Sequence, residues 1–249
     1  MRKHLSTIFC MPIPRFILVR PLYPGNAGGA ARAICNFGWE QLRLVRPAFA
    51  LPHEEATRFA VGGRAVLQGA QIETNLAAAV DGTRLVIGTS RRAGKRRPNF
   101  FPIEELGTVL RDVRPKDAVA ILFGSEEKGL TNEELRSCQV IVTIPTVAAC
   151  PSLNLAHAVA LVAYEFRRAM AQAPQSATRD PLAPVEQLRD LFVHWRHVLD
   201  VIEFFPHGQP ENVMRRLRHL FGRTQLTQRE VGMLRGIARQ IMKGVTEKR

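Results

Sequence analysis

The first two thirds of this 249-residue chain alternate between short runs with strand character and stretches of helical periodicity. A capping-box pattern at Thr131 and Glu134 predicts the start of a helix. Helical patterns occupy residues 27–37, 103–113 and 153–170. Runs rich in Val, Ile and Leu predict buried strands at residues 16–20, 42–46, 84–88, 118–123 and 140–144. Because strands that alternate with helices form a mostly parallel sheet covered on both faces, the sequence predicts an α/β fold here.

The pattern changes after the long helical stretch. Residues 171–184 are rich in Ala, Pro, Ser and Thr, which is typical of a linker. Only helical patterns follow, at residues 185–203, 210–221 and 227–243, and the last begins with a second capping box at Thr227. We therefore expect an α/β domain at 1–172, a linker at 173–184 and a small all-helical C-terminal domain at 185–249.

The chain is strongly basic, with 35 Lys and Arg against 22 Asp and Glu and a formal net charge of +13. Both parts share the excess, since residues 1–180 carry +8 and residues 181–249 carry +5. A basic surface of this kind favours a polyanionic partner, and nucleic acid is the first choice. A charge that serves only solubility is the alternative that composition leaves open.

The four cysteines show neither metal-ligand spacing nor a disulfide framework. We therefore expect reduced thiols, a cytoplasmic protein and no bound metal. The basic start of the chain is followed by an apolar stretch that Pro12 and Pro14 interrupt, unlike a signal peptide. No run approaches the roughly 18 apolar residues of a membrane span, so no membrane association is expected.

Residues 19–33 form the first of three segments in which glycines and polar residues follow a predicted strand. A turn at Pro24 and Gly25 leads into a helix start with Asn26 at the cap position, and Arg32 lies six residues further on. The segment has the spacing of neither a dinucleotide fingerprint nor a phosphate-binding loop. A plain helix cap is the alternative role for Asn26.

The second segment, residues 122–130, leads from a strand into a loop framed by Gly124 and Gly129, with Glu126 between them. Such a loop lies at the carboxyl edge of the sheet, where open α/β folds bind ligands. Its carboxylate suits a sugar hydroxyl, an amine or a neighbouring arginine. A solvated turn is the alternative.

The third segment, residues 144–156, places Pro151 and Ser152 before a long apolar helix. Ser152 is a natural N-cap, and the start of such a helix presents free N–H groups to an anion. Taken alone, a helix start of this kind indicates no particular function.

Together and in this order, the three segments resemble the motifs of the SpoU branch of the SPOUT methyltransferase superfamily: N-x-G-x-x-x-R, G-x-E-x-x-G-L, and I-P followed by P-S-L-N. Residues 88–90 are similar to the cofactor-side loop of that family. Similarity to one tRNA-modifying group of the family extends from residue 16 to residue 243. The residues that match the motifs are, in chain order, Asn26, Gly28, Arg32, Gly124, Glu126, Gly129, Leu130, Ile144, Pro145, Pro151, Ser152, Leu153 and Asn154.

The resemblance implies a SPOUT-type parallel sheet with a C-terminal trefoil knot, beside the small all-helical domain. It also implies S-adenosyl-L-methionine as the cofactor and a homodimer with the active site at the subunit interface. The residues to which it assigns cofactor binding are Thr89, Ser90, Arg91, Gly124, Glu126, Gly129, Ile144, Pro151, Ser152, Leu153 and Asn154.

The implied reaction is transfer of a methyl group from this cofactor to an RNA ribose 2′-hydroxyl. The resemblance gives Arg32 the key catalytic role, with Asn26 holding the geometry and Ser152 near the reacting hydroxyl. A guanidinium has a pKa above about 12 and stays protonated in proteins. We therefore expect Arg32 to stabilise the developing oxyanion rather than to act as the base.

Several cations are candidates for RNA contact. Residues 91–97 hold five cations in seven positions, directly after the implied cofactor loop, and a disordered surface loop is the alternative. The helical stretch at 212–221 is similarly basic, and solvated surface is the alternative there. The residues expected to contact RNA are Arg20, Arg92, Lys95, Arg96, Arg97, Arg215, Arg216 and Arg218.

The expected function is 2′-O-methylation of a cytidine or uridine at tRNA nucleotide 32, the first position of the anticodon loop. Methylation of another RNA, such as ribosomal RNA, is the nearest alternative. An RNA-binding protein that keeps the fold without catalysis is an alternative of another class. Two departures from the tRNA-modifying group are visible. Residues 147–150 (VAAC) stand where its members usually carry an Asn-Pro-Glu-Tyr-like stretch, and the region after Arg92 also diverges from the group.

Overall fold

A parallel sheet forms the centre of the N-terminal part of the protein. The computed structural model describes residues 12–91, 99–172, 180–205, 209–222 and 224–246. The strands in these residues are β1 Ile13–Val19, β2 Gln41–Val45, β3 Gln71–Glu73, β4 Leu85–Thr89, β5 Phe100–Pro102, β6 Ala118–Phe123 and β7 Val140–Thr143. They lie in the order β3-β2-β1-β6-β4-β7-β5, and each pair of neighbours is parallel.

The predicted α/β class is confirmed, and each of the five predicted strands is present within one to three residues of its expected bounds. The trefoil knot stays a prediction. The helices of the described residues are α1 Pro24–Asn36, α2 Glu54–Ala60, α3 Arg64–Gln68, α4 Leu76–Val80, α5 Leu106–Val109, α6 Asn132–Arg136, α7 Leu155–Gln172, α8 Val185–Val201, α9 Pro210–Gly222 and α10 Gln228–Thr246. Within the described ranges, none of these helices is long and apolar enough to cross a membrane.

Two helix starts differ from the sequence prediction. Helix α1 begins at Pro24, so Asn26 is its third residue and not its cap. Proline suits the first helical position because its missing N–H has no partner to bond there. The helix expected at 103–113 is shorter, with one 3₁₀ turn followed by α5. Pro115 lies just beyond this stretch, and the residue before a proline disfavours the helical conformation.

The core lies on both faces of the sheet, as a doubly covered parallel sheet requires. Alternate residues of a strand face opposite sides. In β1, Phe16 and Leu18 belong to the larger cluster, together with residues of α1, α5 and α7. Ile17 and Val19 belong to the smaller cluster on the other face, with residues of α4 and α6. The burial pattern of β1 therefore fixes which helices lie on which side.

Two consecutive glycines let α1 approach its neighbours closely. A Cβ added at Gly28 would lie 2.1 Å from the carbonyl oxygen of Ala56 in α2. A Cβ at Gly29 would lie 2.9 Å from the Cβ of Ala156 in α7. The small residues that follow Asn26 therefore serve helix packing, and they set the position of α1 between α2 and α7.

The C-terminal helices pack on the sheet region as well as on one another. Leu182 forms an isolated bridge with Thr227, and the amide of Val185 donates to the carbonyl oxygen of Thr83 at 3.0 Å. Leu182 and Ala183 are buried, although both lie in the stretch predicted as a linker. The predicted domain limits remain predictions, and residues 173–179 of that linker lie outside the described residues.

We predict that Gly28→Ala lowers the free energy of unfolding by about 2 kcal/mol, because its Cβ would overpack against the backbone of α2. The melting temperature should then fall by roughly 4–8 °C in a thermal unfolding experiment. Gly236→Ala is the matched control, since a Cβ there meets nothing within 4 Å inside α10. It should raise the stability by up to about 1 kcal/mol. A Gly28→Ala variant at least as stable as the wild type would contradict this account.

Candidate active site

Three loops leave the carboxyl ends of β4, β6 and β7 and enclose a cleft, here named the cofactor cleft. This is the edge of the sheet at which open α/β folds bind ligands. Ten of the eleven residues expected to bind the cofactor line it: Thr89, Ser90, Arg91, Gly124, Glu126, Gly129, Ile144, Pro151, Ser152 and Leu153. Asn154 lines the neighbouring cleft instead.

The loop after β6 folds back on itself because of its two glycines. The amide of Gly129 donates to the carbonyl oxygen of Ser125 at 2.8 Å, and Gly129 has a positive φ of 66°. A Cβ on Gly124 would lie 2.0 Å from the amide nitrogen of Leu130. Both glycines are thus required for the closed loop, and the cofactor contact expected of them stays a prediction.

Arg20 holds this loop from the side of β1. Its Nη2 donates to the carbonyl oxygen of Gly129 at 3.3 Å, and its guanidinium pairs with Glu134, the capping-box residue of α6. Burial lowers the pKa of Arg20 from its ordinary value, and the nearby cation of Arg46 lowers it further. The structure gives Arg20 internal partners, and the RNA contact expected of it stays a prediction.

Glu126 connects the first motif to the second. One carboxylate oxygen accepts from the backbone amide of Leu22 at 2.9 Å. The other accepts from the Nδ2 of Asn26 at 2.7 Å and from the amide of Tyr23 at 3.4 Å. The side chain of Glu126 therefore ties the cofactor loop to the turn that opens α1.

Asn154 extends the same chain of hydrogen bonds to the third motif. Its Nδ2 donates to the Oδ1 of Asn26 at 2.9 Å. Its Oδ1 accepts from the amides of Ala156 and His157 at 2.8 and 3.3 Å. Asn154 therefore caps α7, and the prediction that Ser152 is the cap is wrong. The cap lies two residues later than expected, which leaves the hydroxyl of Ser152 available at the cleft.

A second and wider cleft, of about 810 Å³, lies beside α1 and α7, and we name it the substrate cleft. Arg32 and Asn26 line it. Arg32 is exposed, and within the described part of the chain its guanidinium has no hydrogen bond or ion pair. Glu126 and Ser152 line both clefts, so the two are joined.

The cofactor cleft has the chemistry that S-adenosylmethionine needs. Apolar walls from Leu130, Ile144 and Leu153 suit a purine base, and glycine-containing loops bring backbone polar groups close to it. The carboxylates of Glu126 and Glu127 at the same cleft suit a cationic ligand. Further polar residues that the sequence prediction did not include also line the cleft, namely Ser125, Glu127, Lys128 and Thr146. They stand at positions where the motifs specify no residue type, so nothing in the motifs singled them out.

The cations expected to contact RNA fall into two groups. Arg92, Lys95, Arg96 and Arg97 lie outside the described residues. Arg215, Arg216 and Arg218 lie on α9. Arg215 donates to the Oδ1 of Asn212 at 2.8 Å, and Arg218 lies over the ring of Phe192 at 5.9 Å from its centroid. These cations are at the surface of the helical region and not at the cofactor cleft.

Comparison with known proteins agrees with this site. A sequence model described as the SpoU rRNA Methylase family matches residues 14–164, and the matched segment contains all three motifs. The chain belongs to the SpoU methylase family. It is therefore an S-adenosylmethionine-dependent RNA 2′-O-methyltransferase.

Within this family the similarity covers the helical region too. The model described as the C-terminal domain of the tRNA methyltransferase TrmJ matches residues 186–249. The chain is 37% identical to the tRNA (cytidine/uridine/adenosine-2′-O-)-methyltransferase TrmJ of Pseudomonas aeruginosa, over 94% of this chain and 97% of that protein.

Solved structures show the same similarity. TrmJ from Z. mobilis superposes with a TM-score of 0.77 at 33% identity, over 92% of this chain and 99% of that one. A structure described as giving insights into the 2-OH methylation of C/U34 on tRNA has a TM-score of 0.52 at 28% identity. It covers 69% of this chain and 99% of that one.

We predict that Asn154→Asp separates helix capping from motif assembly. Aspartate still accepts from the amides at the start of α7, where a negative charge is favourable, but it cannot donate to Asn26. The free energy of unfolding should stay within about 0.5 kcal/mol of the wild type. The kcat/KM for methyl transfer should fall at least about tenfold, which corresponds to about 1.4 kcal/mol of transition-state stabilisation.

Asn154→Ala is the companion variant, because it removes the cap together with the bond to Asn26. It should lose about 1 kcal/mol of stability in addition to activity. Urea unfolding measures the first quantity and a labelled-methyl assay the second. Wild-type activity in Asn154→Asp would show that the bond between the two asparagines has no part in catalysis.

Proposed function

We propose that this protein methylates the ribose 2′-hydroxyl of a cytidine or uridine at nucleotide 32 of tRNA. The observation that carries the proposal is the junction of the two clefts at Glu126 and Ser152. A ribose held at this junction lies next to the cofactor cleft on one side and shares the substrate cleft with Arg32 on the other. That arrangement is what direct methyl transfer requires.

Bound S-adenosylmethionine supplies an electrophilic methyl group. The residues of the chain have to position the ribose and to control charge as its hydroxyl loses a proton. Because arginine does not act as a base in proteins, Arg32 stabilises the developing 2′-oxyanion as a cation, and the proton passes to a phosphate oxygen or to water. In the proposed complex, Ser152, which lines both clefts and is not used as a helix cap, contacts the reacting ribose. Asn26 positions the start of α1 through Glu126 and Asn154.

Three observations support tRNA as the substrate. The Pseudomonas relative is named for tRNA and for cytidine and uridine, with adenosine as a third nucleoside. The helical region matches the C-terminal domain of the same group of enzymes. The net charge of +13 suits a polyanion of this size. Nucleotide 32 follows from the resemblance of residues 16–243 to the tRNA-modifying group.

Other substrates are outcomes of the test. The matching family is described by ribosomal RNA, and one structural neighbour acts on nucleotide 34 of tRNA by its description. An RNA-binding protein without catalysis would not need Arg32, Asn26, Ser152 and Asn154 around connected clefts. We expect the reaction to take place in the cytoplasm, where cysteines such as Cys35, Cys138 and Cys150, which form no disulfide among the described residues, stay reduced.

We predict that tRNA transcripts receive a 2′-O-methyl group at nucleotide 32 when incubated with the protein and labelled S-adenosylmethionine. A transcript with 2′-deoxyribose at nucleotide 32 should remain unlabelled. Arg32→Ala should lower kcat by a factor of roughly 10² to 10³, the effect typical of removing one stabiliser of a developing oxyanion. Mass spectrometry of nuclease fragments locates the methyl group.

Each other result has its own meaning. A methyl group at nucleotide 34 would move the target within the anticodon loop and leave the chemistry intact. Labelling of ribosomal RNA without tRNA would replace the substrate. Cofactor binding without labelling of either RNA would favour the non-catalytic role.

We also propose a homodimer in which α7 contributes to the interface. Leu161 and Tyr164 on α7 are 42% and 49% exposed, and Tyr23 beside the substrate cleft is 55% exposed. Large apolar side chains that cluster next to a site are typical of a protein–protein interface. A partner subunit covering them would also enclose the substrate cleft.

We predict that Leu161→Arg converts a dimer into a monomer in sedimentation velocity, because a charge cannot be buried in an apolar interface without a partner. Met233→Arg is the matched control, since Met233 is an exposed apolar residue on α10, with 61% exposure. The control should leave the sedimentation coefficient unchanged. A wild-type protein that sediments as a monomer at micromolar concentration would contradict the dimer.

A further inference from the structure

A small cleft separates α6 of the methyltransferase region from α9 of the helical region. We name it the α6–α9 cleft. It has a volume of about 140 Å³, which is below the usual size of a pocket for a whole small-molecule ligand. The described residues that line it are Asn99, Asn132, Leu135, Arg136, Cys138, Gln139, Ile141, Arg215, Arg218 and His219.

The charged residues that line this cleft are cationic. Three arginines line it, and the described lining residues include no Asp or Glu. Arg136 comes from α6, whereas Arg215 and Arg218 come from α9. Like charges placed together from two regions of a chain repel each other. Glu211 of α9 offsets part of this repulsion, because its carboxylate lies 3.9 Å from Arg218 and is also close enough to Arg136 to interact with it electrostatically. One carboxylate leaves an excess of positive charge, which an anion bound between the arginines would offset.

The three arginines differ in the number of side-chain contacts that they already make. Arg218 lies over Phe192 and is 3.9 Å from a carboxylate oxygen of Glu211, and Arg215 donates to Asn212. Arg136 is exposed, and among the described residues it has no hydrogen bond or ion pair. The two arginines of α9 are thus partly held in place, while the donors of Arg136 remain available. A guanidinium with free donors is well suited to bind a phosphate through two hydrogen bonds.

The walls of the cleft are fixed by packing. The Nδ2 of Asn99 donates to the carbonyl oxygen of Gln139 at 2.9 Å. A Cβ on Gly222, at the end of α9, would lie 3.1 Å from the same Nδ2. Beyond α9, the Nε2 of Gln225 donates to the carbonyl oxygen of Val109 at 2.9 Å. These contacts hold α9 against the sheet region, so the spacing of the arginines is set before any ligand binds.

The cleft also lies within reach of the active site. Arg91 lines the cofactor cleft, and Asn99 lines the α6–α9 cleft. Eight Cα–Cα steps along the chain separate the two residues, so their Cα atoms are at most about 29 Å apart. An RNA of the size of a tRNA with one nucleotide in the substrate cleft easily covers that distance.

We propose that the α6–α9 cleft binds a backbone phosphate of the RNA substrate and that Arg136 is the contact from the methyltransferase region. The helical region does not then bind RNA alone, because the site needs arginines from both regions. A phosphate contact of this kind contributes affinity and orientation rather than sequence specificity. The inference rests on the proposed function in so far as the RNA is a tRNA.

The test is the salt dependence of tRNA binding by Arg136→Gln. Loss of one phosphate contact makes the slope of log K against log salt shallower by about 0.7 to 1. The ratio of the Kd of Arg136→Gln to the Kd of the wild type should therefore fall about threefold as the salt concentration is raised from roughly 50 to 200 mM. The KM for tRNA should rise while kcat stays unchanged. The Kd for S-adenosylmethionine, measured by calorimetry, should equal that of the wild type.

Arg239→Gln is the matched control, because Arg239 is an exposed arginine on α10 that lines none of the three named clefts. It removes the same charge and should leave the slope unchanged. A wild-type slope in Arg136→Gln would overturn the proposal. An equal change in both variants would also overturn it, because the effect would then come from the general basic field.

Failure of the proposed function gives a different result. If the wild type methylates ribosomal RNA and not tRNA, the same slopes are measured on a ribosomal RNA fragment. A shallower slope there for Arg136→Gln alone supports the phosphate site independently of the tRNA assignment. Equal slopes for the three proteins would reject it.

Discussion

The carboxylate of Glu126 is the acceptor on which the geometry of the site depends. Its two oxygens receive the amide of Leu22 and the side-chain amide of Asn26, and Asn26 in turn accepts from Asn154 at the start of α7. Hydrogen bonds to an ionised group are shorter and stronger than neutral ones, and partial burial strengthens them further. Segments about 100 and 28 residues apart in the chain thus share one network. If any of these three side chains is removed, the hydrogen bonds that fix the loops relative to one another are broken.

The packing of α1, whose start is held by this network, fixes the position of Arg32. A glycine inside a helix costs about 1 kcal/mol relative to alanine, so two in succession are unfavourable for the helix itself. The close approach to α2 at Gly28 and to α7 at Gly29 accounts for both of them. Because α1 cannot shift against either neighbour, Arg32 projects from a fixed helix into the substrate cleft. The glycines thus act through the backbone on a side chain one turn further along.

The parts of the fold that depend on local sequence were predictable, and the parts that depend on distant partners were not. Buried strands such as β6 and the capping boxes at Thr131 and Thr227 follow from residue type and spacing alone. The edge strands β3 and β5 have three residues each, and they become strands only because β2 and β7 pair with them.

The same distinction holds within the site. Ten of the eleven residues predicted to bind the cofactor line one cleft, since they follow strands at one edge of the sheet, and their role in binding stays a prediction. The caps of α1 and α7 were assigned wrongly, because Asn, Ser and Asp all suit a cap and the true choice depends on competing partners. Asn26 has a better partner in Glu126, and Asn154 lies closer to the amides of α7 than Ser152 does.

The two clefts differ in how firmly their residues are held before substrate binds. The loops of the cofactor cleft are closed by internal hydrogen bonds, whereas Arg32 in the substrate cleft is exposed and gains no partner from the described residues. An exposed arginine has considerable rotamer freedom, and fixing it costs up to about 2 kcal/mol. RNA binding has to offset that cost, for which the basic surface of both regions supplies the free energy. In the proposed mechanism, Arg32 is then ordered only when the ribose is present, so that correct substrate binding itself completes the active site.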